Sequence, residues 1–294
     1  MRTEAISPRY STLDQWKPQE VVQALWASQS HAVAACLPVL PTLVAAVEAA
    51  ATRLKRGGRL FYVGAGSAGA MAAVDGIELR ATFGFPSART VILLASGLDF
   101  SRGMPGGHED DADAGRLRML DYGCDDKDVV IGVSASGASV FTTSAVQEGR
   151  ARGALTIGLS SVAHSPLIQS VEHPLLTDTG EEVIAGSTRL GAGTAQKVVL
   201  NLFSTALMVR CGAVHGNMMV NLRPENDKER QRAIAIIQQI TDCKDTQAEA
   251  ALAEAGDAKH AVLLVSGMSL EQAKAALARS GGVLGPALAE AHRR

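Results

Sequence analysis

Residues 59–69 read RLFYVGAGSAG. The run from Arg59 to Val63 is short, apolar and rich in aromatic and branched side chains, which predicts a buried strand. GAGSAG follows at once, and a helical pattern then continues to about Ala81. A strand that passes through a glycine turn directly into a helix is the opening unit of a parallel α/β sheet. The same alternation recurs downstream. Strands are expected at 90–94 (TVILL), 128–133 (DVVIGV), 154–159 (ALTIGL) and 174–177 (PLLT), and helices at 112–120, 139–150 and 194–209. Strands alternating with helices imply a doubly wound parallel sheet with helices on both faces.

Upstream, residues 1–20 read as an extended polar arm ending at Pro18. Residues 20–55 read as two alanine-rich helices broken near Pro38 and Pro41. Beyond Arg223–Pro224 the pattern is helical to the end. The expected organisation is an arm with helices over 1–57, a ligand-binding α/β domain over 58–230, and a small helical domain over 241–294, too short for a large core of its own.

Composition narrows the function classes. The chain has 294 residues, 28 Lys plus Arg against 30 Asp plus Glu, and a net charge of −2, so nothing draws nucleic acid or anionic lipid to it as a whole. Aromatic residues make up 4%, too few for base-stacking platforms. No apolar run reaches the ~18–20 residues of a membrane span. The start, MRTEAISPRYSTLDQW, has no signal-peptide core. The four cysteines, Cys36, Cys124, Cys211 and Cys243, are scattered, as expected of thiols in a reducing cytoplasm. The seven histidines lack metal-binding spacing, so no metal is expected.

GAGSAG also matches the dinucleotide fingerprint. That fingerprint requires an acidic residue at the tip of the second strand, where this chain has LLAS, with Asp99 only after a glycine. What remains is an anion site: Gly66 and Ser67 at a helix N-terminus. A second such loop, SASGAS, ends the third strand and offers Ser134, Ser136, Gly137 and Ser139. Serine also caps helices, so one such loop alone would mean little. Two on one sheet converge on one crevice and suit a phosphate monoester. Glu78, in GIELRATFG, and Glu109, in GGHEDD, read in isolation as a solvated charge and a helix-dipole charge.

FYVGAGSAG, the Glu78 segment, GHED, VVIGVSASG, EEVIAGSTRLGAGTAQKVVLN, HGNMMVNL and Asn226–Asp227–Lys228, in this order, resemble the N-acetylmuramic acid 6-phosphate etherase family. More distantly the chain is similar to glucokinase regulatory protein. The resemblance implies a sugar-isomerase-type fold and a cytoplasmic lyase of cell-wall recycling. Such a lyase needs no cofactor, acts on a phosphorylated amino sugar and forms a homodimer. It places the catalytic acid on Glu78 and the base on Glu109. It adds Ser187, Thr188, Arg189, Asn226 and Lys228 to the substrate-binding residues.

The chain departs from the family where cations usually stand: at Ala70–Met71, at Ala138–Ser139, and at Gly191 in Arg189–Leu190–Gly191. Arg189, Lys197, Arg223 and Lys228 remain as partners for the substrate's anions. A phosphosugar isomerase or a non-catalytic phosphosugar-binding regulator would share the loops. The presence of both glutamates favours the etherase over the regulator.

Overall fold

The computed structural model describes residues 2–99, 101, 103, 106–222 and 224–293. Arg223, one of the candidate cations, lies outside them. Five strands form one parallel sheet: β1 (Leu60–Gly64), β2 (Thr90–Leu94), β3 (Val129–Val133), β4 (Leu155–Ser160) and β5 (His173–Leu176). Their order is β2-β1-β3-β4-β5, so the chain reverses direction across the sheet between β1 and β3. Each strand stands within a residue or two of its expected position.

Burial explains why the strands read as continuous apolar runs. Leu60, Phe61, Tyr62 and Val63 are all fully buried, because both faces of β1 are covered. Phe61, Val63, Val91, Leu93 and Val130 share one apolar cluster with Met119 of α4 (Ala112–Asp121), Phe141 of α5 (Val140–Ala151) and Leu167 of α6 (Pro166–Ser170). Tyr62 points to the opposite face, toward α3 (Gly66–Phe83). Gly64 is in register with Leu94 and Val133, so three strands finish level at their carboxyl ends.

The amino-terminal arm differs from expectation. It is not extended but wound into three short 3-10 turns, Arg2–Glu4, Pro8–Tyr10 and Leu13–Gln15. Pro18 does not end the arm. It opens α1 (Pro18–Ala34), at a position where its missing N–H has no partner to lose. α2 (Leu40–Lys55) follows a turn at Leu37–Val39, with Pro41 tolerated in its first turn. The expectation that no apolar run could span a membrane also needs correcting. The segment Pro18–Lys55 contains an 18-residue window of mean hydropathy 1.9, although the turn splits the segment into two helices. α7 (Gly191–Arg210) begins three residues before its expected start, because Glu182 caps it. The Glu182 carboxylate accepts from the Gly191 and Ala192 N–H groups at 2.8 and 2.9 Å.

The chain forms two compact units, Met1–Gly76 with Ala88–Ser204, and Ile77–Ser87 with Thr205–Arg294. The second includes α8 (Asp227–Thr241), α9 (Asp245–Ala255), α10 (Ala258–Val265), α11 (Leu270–Arg279) and α12 (Leu284–Ala291). These helices share a substantial buried core. Ile234, Ile237, Leu252, Val262, Leu263 and Leu284 pack with Val220 and Leu222, so residues before 241 supply part of it.

Lys259 is buried in this helical core. Its ammonium donates to the carbonyls of Gly212 and Gly282 at 2.9 and 2.8 Å, each just past a helix C-terminus. Burial pulls its pKa from 10.5 down to about 8, against the weaker pull of Asp257. The unfolded chain therefore holds a proton between pH 8 and 10.5 that the folded chain has released, and folding gains stability as pH rises through that window. Relative to Lys259→Met, the wild type should gain about 3 kcal/mol across it. Urea unfolding at pH 7.5, 9 and 10 measures this, and parallel pH dependences for the two proteins would refute it.

Candidate active site

The two glycine-serine loops meet where the sheet reverses. β1 runs into Ala65 and Gly66, and Gly66 adopts φ +52° as it opens α3. β3 runs into Ser134–Ser139, which opens α5. Gly137 has φ +65°, and any Cβ there would overlap Ser165 Oγ on the loop after β4. Only glycine fits this approach.

Much of the hydroxyl chemistry in the second loop shapes the loop itself. Ser134 Oγ accepts from Gly137 N–H at 3.1 Å, and Ser136 Oγ accepts from Ala138 N–H at 3.2 Å. Ser139 caps α5, accepting from Thr142 N–H at 3.4 Å. Ser134 and Ser139 are buried, whereas Ser136 is half-buried and Ser67 likewise. Ser136 and Ser67 are thus the hydroxyls in these loops best placed to meet a ligand.

Glu109 joins this cluster from a distant part of the sequence. Its N–H donates to Gly106 O at 3.0 Å, and its carbonyl accepts from Phe141 N–H, in the first turn of α5, at 2.9 Å. Its carboxyl oxygen lies 2.7 Å from the point where a Cβ on Gly66 would stand. The side chain thus faces the N-terminus of α3 at the carboxyl ends of β1 and β3. Partial burial raises its pKa, and the adjacent negative charge of Asp110 adds to the effect. A carboxylate raised in this way is a stronger base than an exposed one.

The other expected site residues are carried by other elements. Ser187 and Thr188 are half-buried and Arg189 exposed, in the turn that leads into α7. The preceding Gly186 donates its N–H to Thr3 O at 3.0 Å, and the Glu4 carboxylate stands beside it. Lys197, half-buried on α7, is close enough to favour the ionised form of Asp75. Glu78, Asn226 and Lys228 belong to the second unit. Glu78 and Lys228 are exposed, and Asn226 caps α8 by accepting from Glu229 N–H at 3.0 Å. Among the described residues no three His, Cys, Asp or Glu side chains gather as a metal site.

Sequence reasoning gave no role to Asp75 or Glu182. Both are buried acids, Asp75 with three donors and Glu182 with two. The available signal was an acid standing alone in an alanine-glycine helix, AMAAVDG, and the first residues of the EEVIAGSTR block.

Comparison with known proteins fits this arrangement. Residues 109–206, from Glu109 through most of α7, match the SIS domain model. A Bacteroides fragilis protein, provisionally named a phosphosugar isomerase of capsule formation, shares the fold. It has a TM-score of 0.51 and 24% identity, over 66% of this chain and 91% of that one. Much nearer are two proteins named N-acetylmuramic acid 6-phosphate etherase. One, from Deinococcus radiodurans, is 43% identical over 96% of this chain and 93% of its own length. The other, from Rubrobacter xylanophilus, is 41% identical over 99% of this chain and 97% of its own. With identity at that level from end to end, and a parallel sheet whose glycine-serine loops meet at a glutamate, this chain belongs to the N-acetylmuramic acid 6-phosphate etherase family.

Proposed function

We propose that this chain is a carbon–oxygen lyase that cleaves the D-lactyl ether of N-acetylmuramic acid 6-phosphate, giving N-acetylglucosamine 6-phosphate and D-lactate. The observation that carries the reading is the Glu109 carboxylate facing Gly66 between the two loops, in a chain with full-length etherase relatives. In the open-chain aldehyde the proton on carbon 2 is acidified by the neighbouring carbonyl. Glu109 takes that proton. The bond from carbon 3 to the ether oxygen then breaks, and its electron pair leaves with the lactyl oxygen, which Glu78 protonates. Water adds across the new double bond, its hydroxyl to carbon 3 and a proton to carbon 2. Each step is accompanied by a proton transfer that a carboxyl group can perform.

The phosphate belongs at the loops. Ser67 and Ser136 donate to its oxygens, Gly66 and Gly137 let the backbone approach, and Ser134 and Ser139 hold the second loop in shape. Ser187, Thr188, Arg189, Asn226 and Lys228 complete the substrate contacts, with Lys228 as the partner of the lactyl carboxylate. Incubation with N-acetylmuramic acid 6-phosphate should release lactate, and its absence would overturn the assignment. Ser136→Ala should weaken N-acetylglucosamine 6-phosphate binding by about 1–3 kcal/mol, as expected for a hydrogen bond to a charged group. Equal affinities, by calorimetry, would remove Ser136 from the phosphate site.

The working form is a homodimer in the cytoplasm, where the four free cysteines stay reduced. Val22, Trp26, Val33, Leu37, Leu40 and Val44, on α1, α2 and the turn between them, are 40–74% exposed. Their spacing of three, four or seven residues supports an apolar stripe of the kind that protein interfaces cover. Trp26→Asp should convert the dimer to monomer in sedimentation experiments. An unchanged sedimentation coefficient would clear the stripe of that role.

A further inference from the structure

The first three turns of α3, where it meets β1, are almost bare. A Cβ on Gly64 would come within 2.6 Å of Gly69 Cα, and one on Gly76 within 2.8 Å of the Tyr62 ring. Ala68, Ala72 and Ala73 are buried along the same helix. Helices ordinarily fix their rotation and axial register by fitting ridges of side chains into grooves. Alanine and glycine leave little ridge to fit. The contact is close and built largely from backbone, with little side-chain relief of its own to aim the outer face of α3.

One polar side chain stands in that contact. Asp75 is 2% exposed and takes three hydrogen bonds. Tyr62 Oη, from β1, donates to Oδ2 at 2.8 Å. Asn201 Nδ2 and Ser204 Oγ, both from α7, donate to Oδ1 at 2.8 and 3.0 Å. Burial raises the Asp75 pKa, while these bonds and the charge of Lys197 hold it down. Tyr62, fully buried beside it, is pushed far above its usual value and remains a donor. Donors from two different elements thus converge on both oxygens of one carboxylate.

We propose that Asp75 is a positioning residue that sets the register of α3 against β1 and α7, and so fixes Glu78, one helical turn further along the same helix. It touches no substrate. The inference rests on the acid role given to Glu78 above. Its physical basis is that hydrogen bonds are directional where alanine packing is not, and a helix transmits its register along its whole length.

The test separates elimination from proton exchange. Asp75→Asn keeps the volume but leaves one uncharged carbonyl oxygen where three donors now meet two carboxylate oxygens, and Ser204→Ala removes one bond if the first variant folds poorly. In both, kcat for lactate release should fall, by 10–100-fold for Asp75→Asn and less for Ser204→Ala. KM should change little, and exchange of the carbon-2 proton with deuterated water, driven by Glu109, should stay within about threefold of wild type. A merely structural role would lower release and exchange together, in step with the folded fraction, and that result would overturn the proposal. An unchanged kcat would do the same. If the wild type shows neither reaction, the etherase reading fails, and the register lock is judged by amide hydrogen exchange alone. Residues 70–80 should then exchange faster in Asp75→Asn than in wild type, while α5 is unchanged. Equal protection of α3 in the two proteins would refute the lock whatever the protein catalyses.

Discussion

Glu109→Gln is expected to abolish both lactate release and exchange of the carbon-2 proton, each by about 10²–10⁴-fold. The substitution keeps the shape of the side chain and leaves the backbone bonds to Gly106 and Phe141 intact. The loop should therefore hold its place, and the loss would report the missing base rather than a collapsed site. The wild type should also lose activity toward acid. A base must be ionised to work, and burial and Asp110 raise the pKa of Glu109. kcat/KM should accordingly fall as pH drops through that raised value, at a higher pH than for an ordinary exposed glutamate. Exchange that persists at the wild-type rate in Glu109→Gln would move the base to another residue.

Glu78→Gln should cost lactate release by a similar factor, about 10²–10⁴, and yet leave carbon-2 exchange measurable. Removal of the acid leaves the lactyl oxygen a poor leaving group but does not disarm the base. The substrate should gain deuterium at carbon 2 while its ether bond stays intact. Mass spectrometry of recovered substrate distinguishes this from simple inactivation. If exchange disappears along with release, the two glutamates cannot have separate roles. Glu78 is exposed on the isolated chain.

Local pattern was enough for the elements. β1, β3 and β4 are legible because strands buried on both faces must be apolar throughout, and the glycine turns mark where each strand hands over to a helix. The two loops were legible for the same reason. Gly66 and Gly137 adopt backbone angles that few other residues tolerate, and each stands at a junction the hydrophobic period already marks. The arm departs from the extended expectation because its backbone closes on itself in short turns, Tyr10 N–H to Ser7 O and Gln15 N–H to Thr12 O, which no periodicity announces. Pro18 carried opposite meanings at the end of an arm and at the start of a helix.

By itself, then, the sequence determined the class of fold, the places of its strands and the two loops, because these depend on residues near one another in the chain. Tertiary structure alone decided what depends on residues far apart. It put β1 beside β3, although β2 lies between them in sequence. It carried Glu109 across 43 positions to face Gly66. It gave the α7 N-terminus to Glu182, and it surrounded Asp75 with donors from β1 and α7. A buried carboxylate is stable only where donors converge on it, and convergence is a property of packed elements rather than of spacing along a chain.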